Sequence, residues 1–454
     1  MEKGNYKERL HRVIPGGAHT YSRGDDQFPQ NAPEILKNGL GAYVWDAYDN
    51  KFLDYGMALR AVTLGYSYPS INQAVIEEIQ KGNNLTRASL TELEAAELIV
   101  DLIPGAEMVK FAKNGSNVTT GAAKIARSYT GRKYICVPRQ QPFFSFDDWF
   151  IGTTQVNKGI PDAHYNTTLV FDYGDIESLE KLFLQYPDQI AGVLMEPATT
   201  LLPCDNGCKE ELTYDKPCNA CPNNKVNFLH QVQKLCNING ALFILDEMIT
   251  GFRFHLQGAQ TYFGVTPDIS TFGKGMANGY AVAALVGKKE IMEVGSIRKI
   301  GAERTFLLST THGGEMAGLR AFIETVKVYK EKNVCAHLWK YGEQLKNGIN
   351  NITKELGISE RFYFDGSSVL MNYVTKDAKG EISTAFRTLF SQEMIKNKVL
   401  MPWVSPSLMH GELELDQTLT AAKNALTVYA DALNSGVDKF LIGDAVKPVF
   451  RKFN

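Results

Sequence analysis

The chain has 454 residues, 44% hydrophobic and 22% charged, with a formal net charge of −2. That length allows two or three domains around a large core. The near-neutral charge excludes nucleic acid as a main partner, and no apolar run is long enough to span a membrane. The opening MEKGNYKERLHR lacks the apolar stretch of a secretory signal. With no such signal, the seven cysteines point to a reducing, cytoplasmic setting.

Taken in order, residues 1–65 form an N-terminal segment. Within it, GAYVWDAYDNKFLDYG alternates apolar and polar residues around Asp49-Asn50, the pattern of a hairpin. Residues 69–102 read as helix, with Thr91-x-x-Glu94 as a capping box. MVKFAKNGSNVTTGAAKIARSYTGR then predicts a short strand, a Gly-Ser turn and a helix over 118–129. Free amides at such a helix start make an anion site. A strand at 133–138 leads into RQQPFFSFDDWFIG, and a buried strand at 190–195 ends in Glu196-Pro197.

Residues 198–226 are a cysteine-rich insertion in a loop rich in Gly, Pro and Asn. Cys204, Cys208, Cys218 and Cys221 follow the form C-x3-C-x9-C-x2-C. Four thiolates so spaced suit a tetrahedral structural ion, zinc by default; an iron–sulfur cluster and free thiols are the alternatives.

The stretch 241–287 organises the chain. The apolar run 241–245 stops at Asp246-Glu247, and the run 267–272 stops at Gly273-Lys274-Gly275, followed by a third strand at 281–286. Apolar runs bounded in this way are strands of a parallel sheet, and ligands bind at the carboxyl ends of such strands. A carboxylate and an amine meeting there are what pyridoxal phosphate requires. The amine forms the Schiff base, and the acid keeps the pyridine nitrogen protonated.

DEMITGFR followed by TFGKGMANG resembles the class III aminotransferases of fold type I, among them the glutamate-1-semialdehyde 2,1-aminomutases. The resemblance implies an α/β fold: a large domain with a mostly parallel sheet (66–316) and a small C-terminal α/β domain (317–454). Residues 1–65 are then expected to pack on the small domain and line the substrate channel.

The resemblance also implies site roles. Lys274 carries the Schiff base and shuttles the proton, while Asp246 holds the pyridinium. Met248 packs beneath the ring, where relatives have valine, and Phe143 covers its other face. Gly115 and Ser116 hold the phosphate, and Asn117 replaces the family's usual glutamate. Arg23 receives a substrate carboxylate. Thr310, with Thr311 as competitor, reaches the phosphate of a neighbouring subunit, so a homodimer is implied.

Three features depart from the aminomutases: Leu59 stands at a tryptophan position, Phe143-Phe144 replace Tyr-His, and a terminal-loop glutamate has no counterpart. His410 reads as structural. The expectation is therefore an aminotransferase acting on a small-molecule donor such as glutamate and a carbonyl acceptor, with intramolecular 2,1-aminomutase as the alternative.

Overall fold

The structure is a computed structural model describing residues 4–204, 212–218 and 226–453. The chain forms two compact units. Arg60–Val62 and Pro69–Ala336 make the larger; Met1–Leu59, Thr63–Tyr68 and His337–Asn454 make the smaller.

The larger unit is built on a seven-stranded sheet. Its strands are β1 (Met108–Ala112), β2 (Tyr134–Pro138), β3 (Thr168–Phe171), β4 (Ile190–Met195), β5 (Leu242–Asp246), β6 (Ile269–Phe272) and β7 (Ala283–Gly287), in the order β1-β7-β6-β5-β4-β2-β3. Only β7 runs against its neighbours β1 and β6. The carboxyl ends of β1, β6, β5 and β4 therefore share one rim. Every residue of β4, β5 and β6 is buried, as expected of strands covered on both faces. The helix Gly115–Thr130 packs on this sheet through Val118, Ala122, Ile125 and Ala126.

The helix expected over 69–102 is two helices, Pro69–Ile79 and Leu90–Leu102. The break falls where Gly82 takes φ +99°, a conformation that suits glycine. The second helix is capped by Ser89, whose Oγ accepts from the Glu92 amide at 3.0 Å, so Thr91 is not the cap. Instead, the Thr91 hydroxyl donates to the buried Glu78, which also pairs with Arg320 at 3.2 Å. The break itself has a use, since the Asn83 carbonyl accepts from the Met316 amide at the start of the helix Met316–Lys332. That helix belongs to the larger unit, so the second part of the smaller unit starts at His337, later than the expected 317.

In the smaller unit the expected hairpin is present as Tyr43–Asp46 and Lys51–Asp54. Asp49 takes φ +69° at its turn, and the Asp46 carboxylate accepts from the Tyr48 and Asn50 amides. Beyond it, Met57, Ala58, Leu59 and Arg60 form a left-handed turn with φ of 39°, 49°, 62° and 68°. Four non-glycine residues in this region are costly and need fixed partners. Asp54 supplies them, accepting from the Gly56 amide (2.7 Å), the Met57 amide (3.0 Å) and the Tyr66 hydroxyl (2.6 Å). His410 is fully buried, and Nδ1 accepts from the Ser407 amide and hydroxyl. Burial pushes it down to about 3, so it is a neutral packing residue against Tyr55.

Candidate active site

Asp246 ends β5 and pairs in register with Thr271 on β6, three residues before Lys274. The acid is 3% exposed. Its Oδ1 accepts from the Thr271 hydroxyl at 2.9 Å and the Met248 amide at 3.0 Å. Both bonds use one oxygen, which leaves Oδ2 for a ligand. Burial pushes Asp246 up to about 6, opposed by the nearby Lys274 and these two hydrogen bonds. The adjacent Glu247 does different work. Its carboxylate accepts from the Thr250 hydroxyl and from the Ala259 (3.0 Å) and Gln260 (2.7 Å) amides, pinning the chain after β5.

Lys274 sits in a left-handed conformation, φ +43°, on a tight turn directly after β6. Such strain in a non-glycine residue collects where a side chain has to be aimed. Burial lowers the amine's proton affinity, Asp246 and Glu196 raise it, and Arg60 and Arg253 lower it again. Gly273 leaves room for Met248, since a Cβ there would lie 2.6 Å from the thioether sulfur. A Cβ at Gly115 would lie 3.0 Å from the same sulfur. Met248 therefore bridges the lysine turn and the start of the helix Gly115–Thr130.

At that helix start, the Asn114 side chain accepts from the Asn117 amide at 3.0 Å. The Gly115 and Ser116 amides remain for an anion. Ser116 Oγ accepts from the Phe146 amide at 3.0 Å, and the Thr119 hydroxyl donates to the Phe144 carbonyl at 2.7 Å. These bonds bolt the 143–149 loop to the helix. Phe144 is core, whereas Phe143 is 47% exposed with its ring edge-on to Phe150.

Three residues at this rim carried no role in the sequence reading. Glu196 follows β4, next to β5, and is 6% exposed. Arg253, 1% exposed, donates to the Arg60 carbonyl at 3.4 Å. Arg60 lies near enough to shift both Glu196 and Lys274. The only sequence signal was the acid closing a buried run at Glu196; a left-handed turn ending in Arg60 leaves no compositional trace.

The other expected residues are placed as follows. Thr310 and Thr311 are exposed, and the Thr311 carbonyl accepts from Asn84. Arg23, on the turn Tyr21–Arg23, and Leu59 belong to the smaller unit. Cys204 and Cys218 lie with their sulfurs 2.7 Å apart. Cys208 and Cys221 lie outside the described residues, among which no group of three or more metal-ligating side chains occurs. No helix of the described residues is long and apolar enough to cross a membrane.

The residues present fit pyridoxal phosphate. A buried acid offers a free oxygen, an amine stands one strand away, and a thioether lies between two glycines where a flat ring can rest.

Comparison with known proteins gives a family. The profile of Aminotransferase class-III matches residues 27–160 and 221–361. Glutamate-1-semialdehyde 2,1-aminomutase 1 of Lachnoclostridium phytofermentans is 30% identical over 437 residues, covering 91% of this chain and 96% of the relative. The 3-aminobutyryl-CoA aminotransferase of Cloacimonas acidaminovorans is 32% identical over 397 residues, covering 87% and 88%. Among solved structures, the pyridoxal phosphate form of the FumI protein of Sphingopyxis sp. MTA144 superimposes with a TM-score of 0.80 at 25% identity, over 95% of this chain and 97% of that one. With profile, relatives and fold in agreement, the chain belongs to the class III aminotransferases, pyridoxal phosphate enzymes of fold type I.

Proposed function

We propose that the chain moves an amino group from an amino-acid donor such as glutamate to an aldehyde or ketone acceptor. The observation that carries this reading is the buried Asp246, one oxygen open, beside the depressed amine of Lys274 at the same rim. Bound pyridoxal phosphate supplies the electron sink for the substrate carbon. Asp246 would keep the ring nitrogen protonated. Lys274 would carry the proton at the substrate carbon, and an amine with lowered proton affinity suits that work. Gly115 and Ser116 amides would hold the phosphate, while Met248 and Phe143 would take the two ring faces. By resemblance, Arg23 receives a substrate carboxylate and Thr310 or Thr311 completes the phosphate site of the other subunit in a homodimer.

A single-turnover experiment tests the reading. Holoenzyme mixed with L-glutamate should release one equivalent of 2-oxoglutarate and leave the cofactor in its amine form. Failure with every amino-acid donor tried would sink it. The relatives named as aminomutases favour a second reading, intramolecular 2,1-amino transfer. Leu59 and Phe143-Phe144 weigh against it. Prompt conversion of glutamate-1-semialdehyde to 5-aminolevulinate would reverse that preference.

The cysteine loop is proposed as a structural zinc site in a cytoplasmic protein. Cys204 and Cys218 approach across 14 positions of sequence, and the Cys204 hydrogen bond draws the Cys218 thiol down to about 7, toward the thiolate a metal needs. Metal analysis should find one zinc per chain, lost in C204S/C218S. A visible iron–sulfur spectrum or metal-free protein with full stability would reject it.

A further inference from the structure

Glu196 is the one rim carboxyl for which no hydrogen-bond partner is found among the described residues. Its neighbours are all accounted for: Asp246 accepts from Thr271 and Met248, and Glu247 accepts from Thr250, Ala259 and Gln260. The backbone of Glu196, in contrast, is clamped. The Gln141 side-chain Nε2 donates to the Glu196 carbonyl at 2.9 Å, and the Gln141 side-chain oxygen accepts from the Glu196 backbone amide at 2.8 Å. Tyr173 fixes the next residue, donating to the Pro197 carbonyl at 2.7 Å. A carboxyl held this firmly at its backbone, buried and left unpaired at its head, is placed to meet a ligand.

The sheet order says which part of the ligand. Along the rim stand the phosphate turn after β1, then Lys274 after β6, Asp246 at the end of β5, and Glu196 after β4. On a pyridoxal ring, the nitrogen and the carbonyl-bearing carbon are opposite each other. The phosphate arm and the ring oxygen lie on the two sides of that axis. With the nitrogen at Asp246 and the phosphate arm toward Gly115 and Ser116, the ring oxygen is turned toward Glu196.

We propose that Glu196 is a further cofactor-binding residue, a carboxylic acid that donates a hydrogen bond to the ring oxygen of bound pyridoxal phosphate. The proposal rests on the functional reading above. Its electrostatics agree. Burial and Asp246 hold Glu196 well above the usual carboxylate range, to about 8, against the opposing pull of Lys274 and Arg60. The other titratable group facing it is Tyr173, itself raised by burial. An ionised Glu196 would put a second negative charge against an oxygen that already carries one. The neutral acid supplies a donor without that repulsion, and its later ionisation alters the Lys274-linked chromophore.

The test compares wild type, E196Q and E196A. Glutamine keeps a neutral donor but cannot ionise. It should bind pyridoxal phosphate within about threefold of wild type while removing the alkaline step from the pH titration of the bound chromophore. E196A loses the donor and should bind the cofactor roughly tenfold or more weakly. Infrared spectra of the cofactor-free protein give a readout independent of loading and of variant folding. The wild-type spectrum minus that of E196Q should show a protonated carboxyl band at neutral pH that diminishes as the pH is raised.

Titration curves and affinities that coincide in all three proteins would overturn the proposal. So would an E196Q difference spectrum showing only carboxylate at neutral pH. A wild-type protein that forms no adduct at Lys274 would remove the functional reading and with it the acceptor, an outcome told apart by the missing chromophore.

Discussion

Asp246 and Glu247 are adjacent, both acidic and both buried, yet their surroundings give them different tasks. Glu247 spends its oxygens on Thr250, Ala259 and Gln260, whereas Asp246 keeps one oxygen open beside Lys274. D246N should still fold, because asparagine can keep the Oδ1 contacts, but should lose at least about a hundredfold in kcat as the ring nitrogen loses its acid partner. Glu247 makes a stability prediction. Burial pushes its carboxyl from 4.5 up to about 7, so between those values the native state holds a proton that the unfolded chain has released. Its contribution is full below the lower value and is lost as the pH rises through the upper one. The urea midpoint of wild type relative to E247Q should therefore fall across this window, and a flat difference would contradict the assignment. The two acids were legible in the sequence as a charged stop to an apolar run. Which of them serves the site was legible only through resemblance, because the deciding contacts come from Thr271 and from residues 250–260 folding back. Glu196 carried the same charged-stop signal, but its missing partners and its Gln141 clamp are matters of three-dimensional packing.

Among the elements, the rim depends on close approach between three short turns. Met248 fills the space left by both Gly115 and Gly273. G273A should cost about 1–3 kcal/mol, since the added methyl meets a sulfur at 2.6 Å, and should weaken cofactor binding. Shortening the partner should relieve it. G273A/M248A is expected to be less impaired than the sum of the single variants, with the coupling read from denaturation midpoints and cofactor affinity. Strict additivity would mean that the two side chains do not meet. The parallel strands were readable because burial on both faces makes them continuous apolar runs. The helix expected over 69–102 is broken at its middle. Its apolar pattern resumes after Ser89, but Gly82, Asn83 and Asn84 interrupt it to receive the helix Met316–Lys332, a partner more than two hundred residues away in sequence.

At the scale of the molecule, the family pattern carried the fold class, and the unit boundaries were less accessible. Arg60–Val62 is a three-residue excursion into the larger unit between stretches of the smaller one, and no composition shift marks it. The left-handed turn that leads there is held by Asp54 and Tyr66, whose roles depend on folding back over only a dozen residues. The cysteine-rich segment 198–226 begins two residues after Glu196. If it binds zinc as proposed, chelation should lower the thermal midpoint of the holoenzyme without bleaching its chromophore, since the cofactor residues assigned here lie outside the insertion. Loss of colour on chelation would tie the metal to the site itself. The most direct measurement concerns Lys274. Protein loaded with pyridoxal phosphate, reduced with borohydride and digested should yield one labelled peptide, modified at Lys274, and K274A should yield none. A label on another lysine, or no label on wild type, would contradict the account.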